Sequence, residues 1–553
     1  MRDSQALMKT VLRAKIRARI QRALIPAACV LAVSAVAATG DVLHRIPSPC
    51  RCPTGLAWDG RSLWAADRMS DRLYKIDPDT GQVQQTLQAP GYETAGLAAE
   101  GKLLWVLDAA ARRVYKLDPR SGVTKRALPV YCKSPQGLAF DGKTLWVTDL
   151  KGRRLHQIST VDGTDLRDIP APSVAPYGLA VEGGWLWVAD RADDMIYQVD
   201  LQTGDVGVAL HSPGPFPRGL ACDGRTLWNV DYQADAIYRL KLRDPAPFVI
   251  ERSKRETVEF FQTARNYGPG KIVSMDVYLA VPTNLPSQKI LTPIRFTPKP
   301  DGFVTDQWGQ KCARYRFENI PAGKAVTVSW KAEVELRRIR YFLFPEKAGS
   351  LSEIPAEIKA RYLRDGAKYQ IRDPFIRRLA RQIVGGETNA LRLARRIFGH
   401  LIRNMNYELS GGWNAAPKTL RRGNGSCSEF SFAFIALCRA AGLPARYVGS
   451  AVIRGEDAST DDVFHRWPEV YLPGYGWIPM DPSRGRALLA RPADQAASIG
   501  YRDCRYLITT VSGGGSDFLD WEYNSNARWQ TRGPCKVEIE RFAEWSPQGA
   551  SKK

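Results

Sequence analysis

One cysteine stands out in the stretch GNGSCSEFSFAFIALCRAAGLPARYV, residues 423–448: Cys427, directly after Ser426 and two residues before Glu429. Ser-x-x-Glu ahead of an apolar run is a capping-box pattern, which makes Ser426 the N-cap and Cys427 the first helical residue. The helix is expected to run through SEFSFAFIALCRAA and to stop at Gly442, with Pro444 just beyond. Free backbone N–H groups and the positive end of the helix dipole then lie at Cys427. Both lower a thiol's pKa, and the same N–H groups can hold a developing oxyanion. The plainer reading is a buried thiol or half of a disulfide. Cys438 is no partner for it, since eleven residues of helical rise separate the two by about 16 Å.

A second stretch, DDVFHRWPEVYLPGYGWIPMDPSRG, holds His465 and Asp481. VFHRWPEVYL and GWIPMDP read as two strands of a hairpin across PGYG. Pairing Tyr471 with Trp477 puts Trp467 opposite Asp481 and makes His465 its diagonal neighbour on the same face. Diagonal residues lie roughly 7–8 Å apart at the backbone, within reach of an Asp–His contact, whereas a slip of one residue separates the two faces. In that register Asp481 fixes the imidazole tautomer and His465 takes the proton of Cys427. A strand histidine is otherwise a tolerated polar residue. Glu469 shares the His465 face and is read as a support. Pro468 cannot donate to a ladder, so its strand is expected to be an edge or to bulge there.

These residues need a scaffold. Residues 350–408 change to a helical period, with DPFIRRLARQIVGG and TNALRLARRIFGHLIRNMNYEL apolar at spacings of three and four. Upstream, 251–345 alternates in period two between Pro/Gly turns and predicts a small antiparallel sandwich serving as spacer or support. Before that, five units start at Gly55, Gly96, Gly137, Gly178 and Gly219, each 41 residues after the last and each reading as four strands. Such a sheet cannot bury both faces alone, so neighbours must stack around an axis. The fifth unit lacks a fourth strand, and DVLHRIPSPC at 41–50 matches the missing piece, closing a ring of five. The repeats resemble propellers of the NHL and YncE type. Trp64, Trp105, Trp146, Trp187 and Trp228, with Asp67, Asp108, Asp149, Asp190 and Asp231, recur identically and read as core and turn residues. The expected fold is multidomain: signal peptide 1–38, five-bladed β-propeller 41–250, β-sandwich 251–345 and an α+β catalytic domain 346–545.

That last domain resembles the transglutaminase-like superfamily of papain-like cysteine enzymes. The motifs that carry the likeness are Gly425 and Cys427 at a helix start, Arg439 through Arg446, His465 through Val470, and Gly476 through Pro482. The likeness covers roughly 350–500. It implies Cys427 as nucleophile, His465 as general base and acid, and Asp481 as orienter. A Trp or other donor upstream can complete the oxyanion hole in that family, and Trp413 is the candidate here. The shared chemistry is acyl transfer from an amide through a thioester. Water as acceptor makes a peptidase or amidase, which is favoured; an amine makes a transglutaminase; and a scaffold without catalysis is the third reading. No calcium loop or metal cluster is apparent in the sequence, so no cofactor or metal is expected.

The first 22 residues carry seven Lys/Arg and one Asp, followed by ALIPAACVLAVSAVAA and the small-residue site Ala35-Val36-Ala37. That order reads as a secretory signal peptide, with a retained single-pass anchor as the alternative. The expected location is therefore secreted, periplasmic or at the cell envelope. The formal charge of +22 falls to about +16 without residues 1–22 (seven positives less one negative). Nucleic acid is not an expected partner of an exported protein. A protein or peptide substrate is, and a protein or anionic envelope polymer could occupy the propeller. Beyond Cys29 and Cys427, eight cysteines remain, and disulfides are expected over metal in an oxidising compartment, with Cys52–Cys222 and Cys504–Cys535 as candidate pairs.

Overall fold

A computed structural model describes residues 38–243, 246–409, 412–456, 458–487 and 491–547. The leader expected at 1–38 lies outside the described residues apart from Ala38. Among the described residues no helix is long and apolar enough to cross a membrane.

Residues 42–241 build five four-stranded antiparallel sheets. Four use consecutive strands. In the fifth, Val42–Pro47 takes the outer place beside Ala236–Lys241, with Ile46 opposite Ile237. The innermost strands, Pro53–Trp58, Thr94–Glu100, Pro135–Phe140, Pro176–Glu182 and Pro217–Cys222, touch in a closed circle. The repeated glycine is explained by that circle. A methyl group on Gly55 would stand 2.7 Å from the backbone nitrogen of Leu97, one on Gly96 2.7 Å from that of Leu138, and one on Gly219 2.6 Å from that of Leu56, which closes the ring. Backbone packs on backbone, and no side chain fits between.

The five repeated tryptophans are at most 1% exposed. Each donates its indole N–H to an acid five residues earlier, namely Asp59, Glu100, Asp141, Glu182 and Asp223, at 2.7–3.2 Å. The repeated aspartates accept from loop backbone: Asp149 from the N–H groups of Lys133, Ser134 and Gly152, and Asp231 from those of Phe216, Gln233 and Ala234. Both sets therefore hold core and turns together.

The segment expected as a separate sandwich is part of one nine-stranded sheet. Its spine is the 33-residue strand Phe248–Ala280. One edge of the spine pairs first with Ala325–Tyr341 and then with Lys311–Ile320. The other edge pairs with Ser525–Pro547 from the far end of the chain, with Glu256 opposite Pro547 and Leu279 opposite Ser525. A boundary at 345 thus cuts through a continuous sheet. Its apolar face shares a core with Ala451, Ile453, Phe464, Leu507 and Tyr523 of the following domain.

The second scaffold is a four-stranded sheet in the order Gly476–Pro479, His465–Leu472, Ala445–Val452, Tyr506–Ser512. The helix Cys427–Ala440 packs on it, with Pro374–Val384, Ala390–Asn404 and Ala416–Arg422 around it. Every residue from Cys427 to Arg439 is buried, as a central helix with no polar face requires. The propeller is fastened to this domain through its fourth blade: Arg491 bonds Asp193 and Ser173, the N–H of Ala493 bonds the carbonyl of Pro172, and Arg395 bonds the carbonyl of Gly207.

All nine described cysteines are free thiols, contrary to the disulfide expectation. The topology gives the reason. Pro53 and Pro217 occupy equivalent positions in neighbouring inner strands, so Cys52 and Cys222 lie at opposite ends of those strands. Cys504 follows Arg502, which pairs with Ile339 across from Ile250, whereas Cys535 pairs with Pro269 far along the same spine.

Candidate active site

Cys427 opens its helix with Ser426 at the N-cap. The Glu429 carboxylate accepts the Ser426 N–H at 3.0 Å, and it is fully buried. The same carboxylate takes the Asn414 side-chain N–H at 2.8 Å and Arg422 at 3.0 Å. One buried anion thereby ties the helix start to the two segments that flank it. Cys427 itself is 7% exposed.

The hairpin register is the one expected from the sequence: Tyr471 pairs with Trp477 and Glu469 with Pro479. His465 Nε2 meets Asp481 Oδ2 at 2.7 Å, and the imidazole and the Cys427 thiol are close enough for each to shift the other's pKa. The three predicted residues are thus brought together, in the order thiol, imidazole, carboxylate. Asp481 is 1% exposed, and its second oxygen accepts from the Ser483 hydroxyl and the Arg484 N–H. That fixes the carboxylate from two sides.

Pro468 departs from expectation. Its strand is internal, and Pro468 pairs in register with Tyr447. Its carbonyl accepts from Met480, and in an antiparallel ladder N–H and carbonyl of one residue point the same way. The missing donor therefore faces the place where the short strand Gly476–Pro479 has just ended.

The electrostatics oppose burial. Burial pushes the Cys427 thiol up, but the hydrogen bond and charge of His465, the backbone N–H of Arg466 and the Arg466 guanidinium outweigh it, and the thiol lies below its ordinary range. Burial would lower His465, yet the charge and hydrogen bond of Asp481, joined by Cys427, raise it well above the usual imidazole value. Burial would raise Asp481, and His465, with Arg502 behind it, draws it far below the usual carboxylate range. A thiolate–imidazolium pair is the form that this arrangement stabilises.

Arg466, beside His465 in sequence, carried no signal beyond its charge. It is fully buried, and its guanidinium lies 4.4–5.0 Å from the ring centres of Trp413, Phe432, Tyr447 and Tyr523. The Trp521 carbonyl accepts from it, while Nε and Nη1 have no partner. Aromatic faces hold this cation where a carboxylate would normally be expected. Trp413 belongs to that wall: its ring lies parallel to that of Tyr523, centroids 6.1 Å apart, and its carbonyl accepts from Lys368. Tyr407 feels the charges of Cys427 and Asp481. The two-residue strand Asn406–Tyr407 pairs with Asn424–Gly425, and burial, with those two charges, raises the Tyr407 hydroxyl. A strand of two residues leaves no periodicity from which it could have been found.

Glu469 is a support: its carboxylate accepts Nε and Nη2 of Arg446 at 2.9 and 2.8 Å. Arg439 bonds the carbonyls of Ala445, Arg364 and Gly513 and closes the helix end onto the sheet. Among the described residues no group of His, Cys, Asp and Glu is arranged to hold a metal ion.

Residues 377–482 match the family model described as transglutaminase-like superfamily. An uncharacterised protein of Haemophilus influenzae is 28% identical over 205 residues, 30% of this chain and 55% of that protein. YebA of Bacillus subtilis, also uncharacterised, is 37% identical over 71 residues, 11% of this chain and 10% of that protein. The chain thus spans about half the length of the first relative and a tenth of the second. Among solved structures, a candidate cysteine protease of Cytophaga hutchinsonii aligns over 54% of this chain and its own whole length, at 16% identity and a TM-score of 0.37. Virginiamycin B lyase of Staphylococcus aureus aligns over 36% of this chain and 68% of its own, at 19% identity and a TM-score of 0.26. The segment that holds the thiol, the imidazole and the carboxylate is a transglutaminase-like core domain, and the chain carries it behind an N-terminal propeller.

Proposed function

We propose that the chain is an exported cysteine enzyme that transfers the acyl group of an amide by way of a thioester. The observation that supports it is His465 placed between Asp481 and a thiol drawn below its ordinary pKa. In this reading the Cys427 thiolate attacks the amide carbonyl carbon, and the new oxyanion is met by N–H groups at the helix start. The imidazolium of His465 protonates the leaving amine as the C–N bond breaks. His465 then takes a proton from water, the hydroxide attacks the thioester, and the acid leaves with Cys427 regenerated as thiolate. Asp481 keeps the ring in one tautomer throughout. Peptide or amide hydrolysis is the favoured outcome. An amine in place of water gives cross-linking by the same steps.

The propeller, held against the catalytic domain through its fourth blade, is read as the part that recruits substrate or a partner. Export rests on the basic and then apolar leader of the sequence. Incubating the purified protein with casein and with a glutamine-containing peptide, with and without added cadaverine, tests the reaction by mass spectrometry. New termini or a one-dalton gain mean hydrolysis, and a cadaverine adduct means amine transfer. Neither product, or the same products from Cys427→Ala, overturns the proposal.

A further inference from the structure

A groove of about 600 Å³ opens beside the triad, between the long sheet and the catalytic sheet. Tyr506 forms one wall, and its ring centre is 5.7 Å from that of His465. Arg484 forms another, and its backbone N–H is bonded to Asp481. The groove is therefore bounded by immediate neighbours of both the imidazole and the carboxylate.

Its charge is one-sided. Arg338 is committed to Asp503 through two N–H bonds, and Lys254 is ion-paired with Glu256. Arg252, Arg484 and Arg505 have no carboxylate partner among the described residues, and Glu456 is the remaining acid on the lining. Arg484 leans on the Tyr501 ring at 5.3 Å, which holds its charge in place without cancelling it. Three uncompensated guanidiniums in a concave surface raise the local concentration of anions and are suited to bind carboxylates in bidentate fashion.

We propose that this groove takes an acidic stretch of a polypeptide substrate, with Glu or Asp residues flanking the amide presented to Cys427. The inference rests on the thiol acyl-transfer reading above and adds the substrate class to it.

The test uses two alkylating reagents of similar size and opposite demand on the groove, iodoacetate and iodoacetamide, on the full chain. Modification of Cys427 is followed by peptide mass spectrometry, so other thiols do not enter. The rate ratio of anionic to neutral reagent is expected to fall roughly twofold for each of Arg252→Gln, Arg484→Gln and Arg505→Gln, from Coulomb attraction across about 10 Å of water. The triple variant should lose roughly fivefold to tenfold, and 0.5 M salt should bring the unchanged chain toward it. A Glu-rich decapeptide should protect Cys427 better than a Ser/Gly decapeptide, and the triple variant should lose that preference. An unchanged ratio in the triple variant, or equal protection by both peptides, overturns the groove. Better protection by polyanionic glycan than by the Glu-rich peptide overturns the polypeptide assignment. Slow iodoacetamide labelling of the unchanged chain at neutral pH is a separate failure, that of the triad.

Discussion

Asp231 and Asp481 are both buried aspartates, 0% and 1% exposed, and they do different work. Asp231 spends its oxygens on backbone N–H groups of two loops. Those donors never change protonation, so the carboxylate fixes shape and nothing more. Asp481 spends one oxygen on a serine hydroxyl and a backbone N–H and the other on an imidazole. That last donor can gain or lose a proton, and beyond it lies a thiol. A buried acid is structural or chemical according to whether its partners can titrate.

Substitutions at the two aspartates should part stability from reactivity. The largest effect belongs to the thiol itself: Cys427→Ala or His465→Ala should cost roughly 10³-fold or more in any acyl-transfer rate, with unchanged circular dichroism. Asp481→Asn should follow at about 10²- to 10⁴-fold. Asp231→Asn should leave Cys427 alkylation untouched and lower the first unfolding transition in urea. If Asp231→Asn slowed alkylation as much as Asp481→Asn, the distinction would be lost.

A pH series sharpens it. With the thiol lowered and the imidazole raised, Cys427 should alkylate at a flat rate through neutral pH, well below the ordinary thiol value of about 8.5. In Asp481→Asn the imidazolium loses its counter-charge, so that plateau should narrow and its acid edge should move up. The propeller should show no counterpart of this in its alkylation chemistry.

Next in size are the packing effects. Gly137→Ala pushes a methyl group into the backbone of the neighbouring inner strand, and about 1–3 kcal/mol of destabilisation is expected from such overpacking, read by urea unfolding. Trp146→Phe removes the N–H held by Asp141 at 3.0 Å and should cost about 1.5–3 kcal/mol for a hydrogen bond to a charged group.

The smallest effect is on acid stability. Burial raises Asp59, Asp141 and Asp223, but their loop and indole hydrogen bonds outweigh it and hold them below the usual value. A depressed carboxylate contributes above its unfolded pKa and loses that contribution as pH falls through the folded one. Thermal scans should therefore show the propeller weakening only below about pH 4.

Much of this was legible in the chain because it depends on short-range pattern. The 41-residue period gave the five sheets, since every blade repeats the same glycine, tryptophan and acid. Tyr471 opposite Trp477 followed from the loop PGYG and the alternation on either side. The Ser426–Glu429 spacing placed Cys427. What escaped depends on contacts far apart in sequence. Nothing local says that residues 525–547 run beside 256–279, and this pairing turned an expected sandwich into a shared sheet. Arg466 reads as an ordinary strand cation until Trp521 and Tyr523 arrive from the far end. The candidate disulfides failed on geometry: neighbouring blades and a shared sheet do not bring those particular sulfur atoms together.

The late pairing of Ser525–Pro547 also sets an order of events. The propeller needs nothing beyond Lys241 to close its ring. The wall around Arg466 needs Trp521 and Tyr523, and the sheet behind it needs a strand about 270 residues after the one it joins. Contacts of such long separation form slowly, and a chain under synthesis meets them last. Cys427, His465 and Asp481 are all made before the wall around Arg466 is complete. A nascent chain can therefore close its propeller while the wall around Arg466 is still open, until Ser525–Pro547 is in place.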